Sequence, residues 1–278
     1  MYLNPRFEQK IVRTVLWLFT FITVAILVFI IIFILRKGLP AVTWEFLSKN
    51  PQDMGRSGGI FSTIVGTITL TFMALLIATP LGVGTAIYLT EYTFEGRLTR
   101  VIRFGAECLA GIPSIIFGLF GFILFVTTLG FGWSILSGGL TLAFMILPTI
   151  IRTSEEAIRA VPGSFRQVSY SLGSTKWQTV GRVVLPSALP GIATGIILSI
   201  GRSIGETAAV IFTAGSALHL PSSLFSSSRT MSVHFYILAR EGISMSKAYG
   251  TAAVLVIAIL VINLATYYLM EKFIRRYS

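Results

Sequence analysis

Residues 108–151 run for 44 positions without one charged side chain. About twenty apolar residues cross a bilayer as a helix, so this run holds two crossings. Gly130-Phe131-Gly132 and Ser137-Gly138-Gly139 mark the turn between them. A second run, residues 14–35, is uncharged for 22 positions. It is too long for a signal-peptide core, and Arg36-Lys37 follows it with no small-x-small cleavage site, so it reads as an uncleaved first span. A chain 54% hydrophobic and only 12% charged cannot cover a soluble surface. Without water in the bilayer core, backbone groups must be satisfied internally, which leaves helices or closed barrels. The short alternating segments of a barrel are absent, so the expected class is an all-α integral membrane protein with six transmembrane helices.

The other spans follow from the same reading. The second lies within 60–90 and is broken near Pro80-Leu81-Gly82. The third covers about 103–129 and the fourth about 138–158. The fifth begins near Pro190 and runs past Arg202 and Glu206, and the sixth is about 248–270. With both termini inside, cytoplasmic segments carry 14 of the 22 Lys and Arg residues, which agrees with the positive-inside rule. The net charge of +11 is therefore topogenic. The cations form no dense stripe, so nucleic acid is not an expected partner, whereas membrane lipid is. Cys108 is the single cysteine, which excludes an intrachain disulfide.

Between the fourth and fifth spans the chain turns polar. Pro162-Gly163 stops the preceding helix, and Ser164 followed by Gln167 has capping-box spacing for a new short one. Phe165, Val168 and Leu172 then share a face at i, i+3, i+7, and Gly173 suits a left-handed helix end. This predicts a short helix parallel to the membrane. The residues alone fit either an ordinary interfacial loop or a docking element for a cytoplasmic partner.

Two pairs of charges fall within expected spans. Arg202 and Glu206 are four apart in the fifth, and Arg103 and Glu107 repeat the spacing at the start of the third. A charge inside a bilayer costs about 2.5–3.5 kcal/mol on insertion scales, so such groups face a partner or a cavity. They fit either structural ion pairs or polar steps on a substrate pathway. An arginine offers a donor fork to an oxyanion. A carboxylate beside it favours singly protonated phosphate, which can donate a proton to it, over sulfate, which cannot. Gly111-Ile112-Pro113-Ser114 with Gly118 and Gly121 reads as close helix packing.

The motifs GIPSIIFGLFG at 111–121, LPTIIRTSEEAIRAVP at 147–162, QVSYSLGSTKWQTVGRVVLP at 167–186 and SIGRSIGETAAVIFTAG at 199–215 resemble the phosphate-importing permeases of the MetI-like, binding-protein-dependent ABC importer family, of the PstA type. In the third of these, Gly173 stands twelve positions before Leu185-Pro186, the spacing of the family's coupling loop. Gln167-Val168-Ser169 replaces the acidic start and alanines of that loop. The resemblance implies a type I importer fold, with a first helix and external loop at 1–58, a permease domain at 59–272 containing the coupling loop at about 161–186, and a tail at 273–278. It implies that Ser169, Tyr170, Ser171, Leu172, Gly173, Ser174, Thr175 and Lys176 dock an ATPase subunit. Arg202 and Glu206 match the family's charged transport residues, whereas Arg103 and Glu107 are pathway candidates from their position alone. The implied partners are a second permease of the PstC type, two ATP-binding subunits of the PstB type and an external phosphate-binding protein of the PstS type. No G-x-x-x-x-G-K-[ST] loop is present, so ATP and Mg2+ belong to the ATPase partner and this chain binds no cofactor and is not catalytic by itself. It would lie in a bacterial inner membrane.

Two further readings stand beside this one, a permease for another oxyanion such as sulfate or molybdate, or the sister permease PstC. An intramembrane enzyme is disfavoured, because His219 and His234 both fall in the expected external loop and lack metal-site spacing.

Overall fold

The computed structural model describes residues 5–94 and 96–277, so the tips of the 1–58 and 273–278 segments lie outside the described residues. The chain is almost wholly helical, with one two-residue hairpin, β1 (Pro51–Gln52) paired antiparallel to β2 (Ser57–Gly58). Helix α1 (Pro5–Gly38) is the expected first span, and none of its most apolar window is covered by the rest of the chain. Helix α2 (Trp44–Ser48) begins at Thr43, whose hydroxyl accepts from the Phe46 N–H at 3.1 Å. Helix α3 (Phe61–Ile87) passes Pro80 unbroken and winds on as a π-helix through Tyr88–Tyr92.

The third expected span is not straight. Helix α4 (Arg97–Ala110) and helix α5 (Ser114–Gly121, continued as a π-helix through Phe122–Thr128) meet at 102°. Pro113 lacks an N–H and pushes its predecessor out of helical geometry. Helix α4 also carries Arg97, Arg100, Arg103 and Glu107, too much charge to cross a bilayer comfortably. Among the described residues, five continuous helices are long and apolar enough to span, and there are six crossings where the bent pair counts as one.

Helix α6 (Ile135–Ala160) is the fourth span, capped by Ser134, whose hydroxyl accepts from the Ser137 N–H. Helix α7 (Gly163–Ser171) is the short polar helix, and Pro162 rather than a serine starts it, so the expected Ser164–Gln167 box does not form. A capping box forms eleven residues later, between Thr175 and Gln178, at the start of α8 (Lys176–Thr179). From there the fifth span is helical far earlier than Pro190. It winds as a π-helix through Val180–Val184 and continues as α9 (Leu185–Gly205). It also ends earlier, since Glu206 has extended backbone angles (φ −72°, ψ 131°). Helices α10 (Ala208–Thr213), α11 (Met231–Arg240) and α12 (Met245–Tyr277) complete the chain, and α12 contains the sixth span.

Helices α3, α6 and α9 form the centre. Leu70, Leu142, Met145, Ile146 and Ile150 are fully buried where α3 meets α6. Small residues let the backbones approach: Gly82 lies under Ile150, Gly139 under Met73, and Gly138 under Leu70 and Ala214. Gly118 and Gly121 do the same for α5 against α10 and α6. A second cluster, Ala86, Ile158, Val161, Val184, Ala188 and Ile192, packs where α3, α6 and α9 end near α7.

A Cβ at Gly138 would sit 2.7 Å from both Leu70 Cδ2 and Ala214 Cβ. Gly138→Val is expected to destabilise the protein by about 1–3 kcal/mol through overpacking, seen as a lower melting temperature in detergent. An unchanged melt would mean that the helices are not in close contact there.

Candidate functional site

The polar segment after α6 is built in two faces. Gly173 takes φ +79°, and its N–H donates to Tyr170 O at 2.9 Å while the Ser174 N–H donates to Ser169 O at 3.2 Å. This left-handed helix end closes α7 and turns the chain into α8. On the inner face, Ser169 is buried and shares a 2.9 Å hydrogen bond with Thr179. Arg166 reaches Glu91 of the π-wound end of α3, with Nε at 3.0 Å and Nη2 at 2.6 Å from Oε1. The same guanidinium donates to the last carbonyls of α6, Val161 O (Nη1, 2.8 Å) and Ile158 O (Nη2, 3.0 Å). Lys176 lies over the Tyr92 ring at 5.2 Å.

The outer face is bare. Phe165, Val168, Leu172 and Trp177 are 48%, 61%, 81% and 72% exposed. Phe165, Val168 and Leu172 border an open groove with Ser174, Gln178 and Arg182. Of the eight expected docking residues, Tyr170, Ser171, Leu172, Gly173, Thr175 and Lys176 are exposed, Ser174 is half-buried, and Ser169 points inward. The exposed Phe165 and Val168 belong with the outer set, and their spacing with Leu172 was the signal for it.

Arg103 and Glu107 stand with acids and bases of α6 that share no sequence motif with them. Arg103 Nε donates to Glu155 Oε1 at 2.7 Å, and Arg159 Nη2 reaches the same oxygen at 2.8 Å. Glu107, Arg152 and Glu156 complete the lining of a cavity of about 220 Å3. Glu155 is largely buried; its pair with Arg103 holds α4 against α6, whereas its pair with Arg159 lies within α6. The exposed Arg152–Glu156 pair contributes only about 0.3–0.5 kcal/mol.

Arg202 and Glu206 are not paired. Helix α9 stops between them, and Glu206 Oε1 accepts instead from the N–H groups of Thr207 and Ala209, both at 3.2 Å, at the start of α10. The Glu206 carbonyl accepts from the Ser232 hydroxyl at 2.6 Å. The N–H groups freed where the helix ends are thus met by the side chain at that end. Arg202 is half-buried in the last turn of α9 and has no ion-pair partner among the described residues, and Glu206 Oε2 takes no hydrogen bond among them.

Outside the spans, α11 buries His234 beside Arg229, which donates from Nε to Ser216 O at 2.8 Å. Burial, with Arg229 and Lys247 nearby, lowers the His234 imidazole from 6.5 to about 3. The unfolded chain therefore binds a proton there that the folded chain refuses. Stability from this group is complete above pH 6.5 and falls by about 1.4 kcal/mol per unit as pH drops towards 3. His234→Phe is expected to flatten the melting profile between pH 6.5 and 4, and a profile as steep as wild type would contradict that. For Glu206, replacement by Ala should cost about 1 kcal/mol through loss of the cap, whereas Gln keeps an acceptor and should melt like wild type. A Gln variant as unstable as Ala would show that the cap depends on charge.

Three comparisons bear on this architecture. The family model described as "Binding-protein-dependent transport system inner membrane component" matches residues 78–278. The chain is 34% identical to the probable ABC transporter permease protein YqgI of Bacillus subtilis, covering 96% of each. It is 36% identical to the phosphate transport system permease protein PstA 1 of Mycobacterium tuberculosis, over 95% of this chain and 87% of that one. Among solved structures, an inward-facing MetNI methionine ABC transporter superposes with TM-score 0.61 at 20% identity, over 77% of this chain and 94% of that one. A bacterial alginate ABC transporter in complex with an alginate-bound periplasmic protein superposes with TM-score 0.64 at 15% identity, over 96% and 94%. With its multiple spans, its interrupted fifth helix and its two-faced polar helix, the chain belongs to the binding-protein-dependent, MetI-like family of ABC importer permeases.

Proposed function

We propose that this chain is the permease subunit of an ATP-driven importer of inorganic phosphate, lying in a bacterial inner membrane with both termini inside. The observation that carries the reading is α7, fixed on one side by buried polar contacts and bare on the other through Phe165, Val168 and Leu172. An apolar helix face left open outside the spans is suited to a groove in a partner. In this reading the partner is an ATP-binding subunit of the PstB type, present in two copies and holding ATP and Mg2+. A PstC-type second permease supplies the other half of the pathway, and a PstS-type external protein delivers phosphate.

The choice of phosphate is supported by the relatives named as phosphate transport permeases, 36% identical over 95% of this chain. Arg202 adds a donor fork without a protein counter-ion among the described residues, and Glu206 keeps one oxygen able to accept from a protonated oxyanion. Sulfate and molybdate offer no such proton at neutral pH. A PstC relative of Pasteurella multocida is also 36% identical, but over 74% of this chain, so the wider match favours the PstA side of the pair.

The test is phosphate uptake and ATP hydrolysis by the co-purified complex in proteoliposomes. Arg202→Gln is expected to keep assembly and hydrolysis while uptake falls by about tenfold or more, the loss of one charge-assisted contact. Leu172→Asp should weaken retention of the ATPase subunit by about tenfold or more, as for a central interface residue. Normal uptake in the first variant removes Arg202 from the pathway, and full retention in the second removes α7 as the dock. Sulfate uptake exceeding phosphate uptake would overturn the choice of anion.

A further inference from the structure

The inner face of α7 does more than close the loop. Arg166 joins three elements at once: its own helix, the last carbonyls of α6, and Glu91 at the end of α3. Its side chain is 20% exposed and that of Glu91 is 7% exposed, so the pair is shielded from water and fixed in a two-nitrogen fork. The neighbour of Glu91, Tyr92, receives Lys176 from the other side of the same loop. Both ends of the docking segment are thus tied to one turn, Tyr88–Tyr92. That turn is π-wound, and so is the next stretch after the loop, Val180–Val184. A π-wound turn carries one residue more than α-helical geometry needs and marks a place where register can shift. Beyond it, α3 packs along α6 and, near this turn, against the start of α9, too closely to yield continuously.

We infer that Glu91 and Tyr92 form a transmission joint, with Arg166 and Lys176 as its positioning residues, which passes displacement of the docking segment to α3. This deepens the permease reading and rests on it. Force applied to the bare face of α7 has a direct route through the fork to the end of α3. The second route, through the covalent chain into α9, crosses the Val180–Val184 turn. Removing the fork leaves the dock itself intact, because Phe165, Val168 and Leu172 face the other way.

The experiment uses the complete transporter complex in proteoliposomes with two readouts. One is phosphate moved per ATP hydrolysed. The other is the ATP-driven change in labelling of a cysteine at the far end of α3, Phe61→Cys in a Cys108→Ser background, Phe61 being 40% exposed. Glu91→Gln and, separately, Tyr92→Leu are expected to retain the ATPase subunit and its hydrolysis. The transport ratio should fall by about tenfold, and the ATP-driven labelling change should be lost. Wild-type values of both readouts in these variants would overturn the joint, as would failure of both variants to assemble, since the contact would then be a folding contact. If wild type shows the labelling change but carries no phosphate, the choice of anion is wrong and the joint is still judged by labelling.

Discussion

Backbone groups freed at a helix end need partners, and in a bilayer no water supplies them. The break after α9 places Glu206 where its own carboxylate accepts from the N–H groups that the break exposes, while its carbonyl takes the Ser232 hydroxyl. The end of α6 is closed by the Arg166 guanidinium rather than by solvent. In both places a charged residue satisfies backbone and is also one to which the proposed function gives a role. The two demands fall on the same side chain, so a substitution that tests one must be chosen to spare the other.

The seam between α3 and α6 converts this local satisfaction into a rigid body. Glycines and alanines bring the two backbones together, and Leu142, Ile146 and Ile150 fill the remaining space. A seam packed this closely does not deform continuously, so rearrangement is expected at its ends. Helix α7 lies at one such end, over the cluster of Ala86, Ile158 and Val184. The first helix leaves its most apolar window uncovered and meets α12 at its C-terminal end, where Phe33 lies edge-on to Tyr249.

Much of this was legible in the chain. The uncharged runs located the spans to within a few residues for α6 and α12, because twenty-residue crossings and charged ends are properties of composition. The apolar spacing of Phe165, Val168 and Leu172 and the glycine at 173 gave the short polar helix and its end, since periodicity and a left-handed turn are local. The bend at Pro113 was visible as a proline but not as a 102° turn, because the angle depends on what α4 packs against. The Ser164–Gln167 spacing suggested a cap that the chain does not use: α7 starts at a proline, and the same box forms eleven residues later at Thr175–Gln178.

The sequence by itself determined an all-helical membrane protein, its approximate spans and its one polar loop with an apolar stripe, because each follows from hydropathy and near-neighbour spacing. Only the tertiary structure decided the partners of the charges. Arg202 and Glu206, four apart, were separated by a helix end, whereas Arg166 and Glu91, 75 positions apart, were brought to 2.6 Å. Spacing fixes which residues share a helix face, but an ion pair needs two heads at one point. In a folded chain that point is set by the packing of helices far apart in sequence.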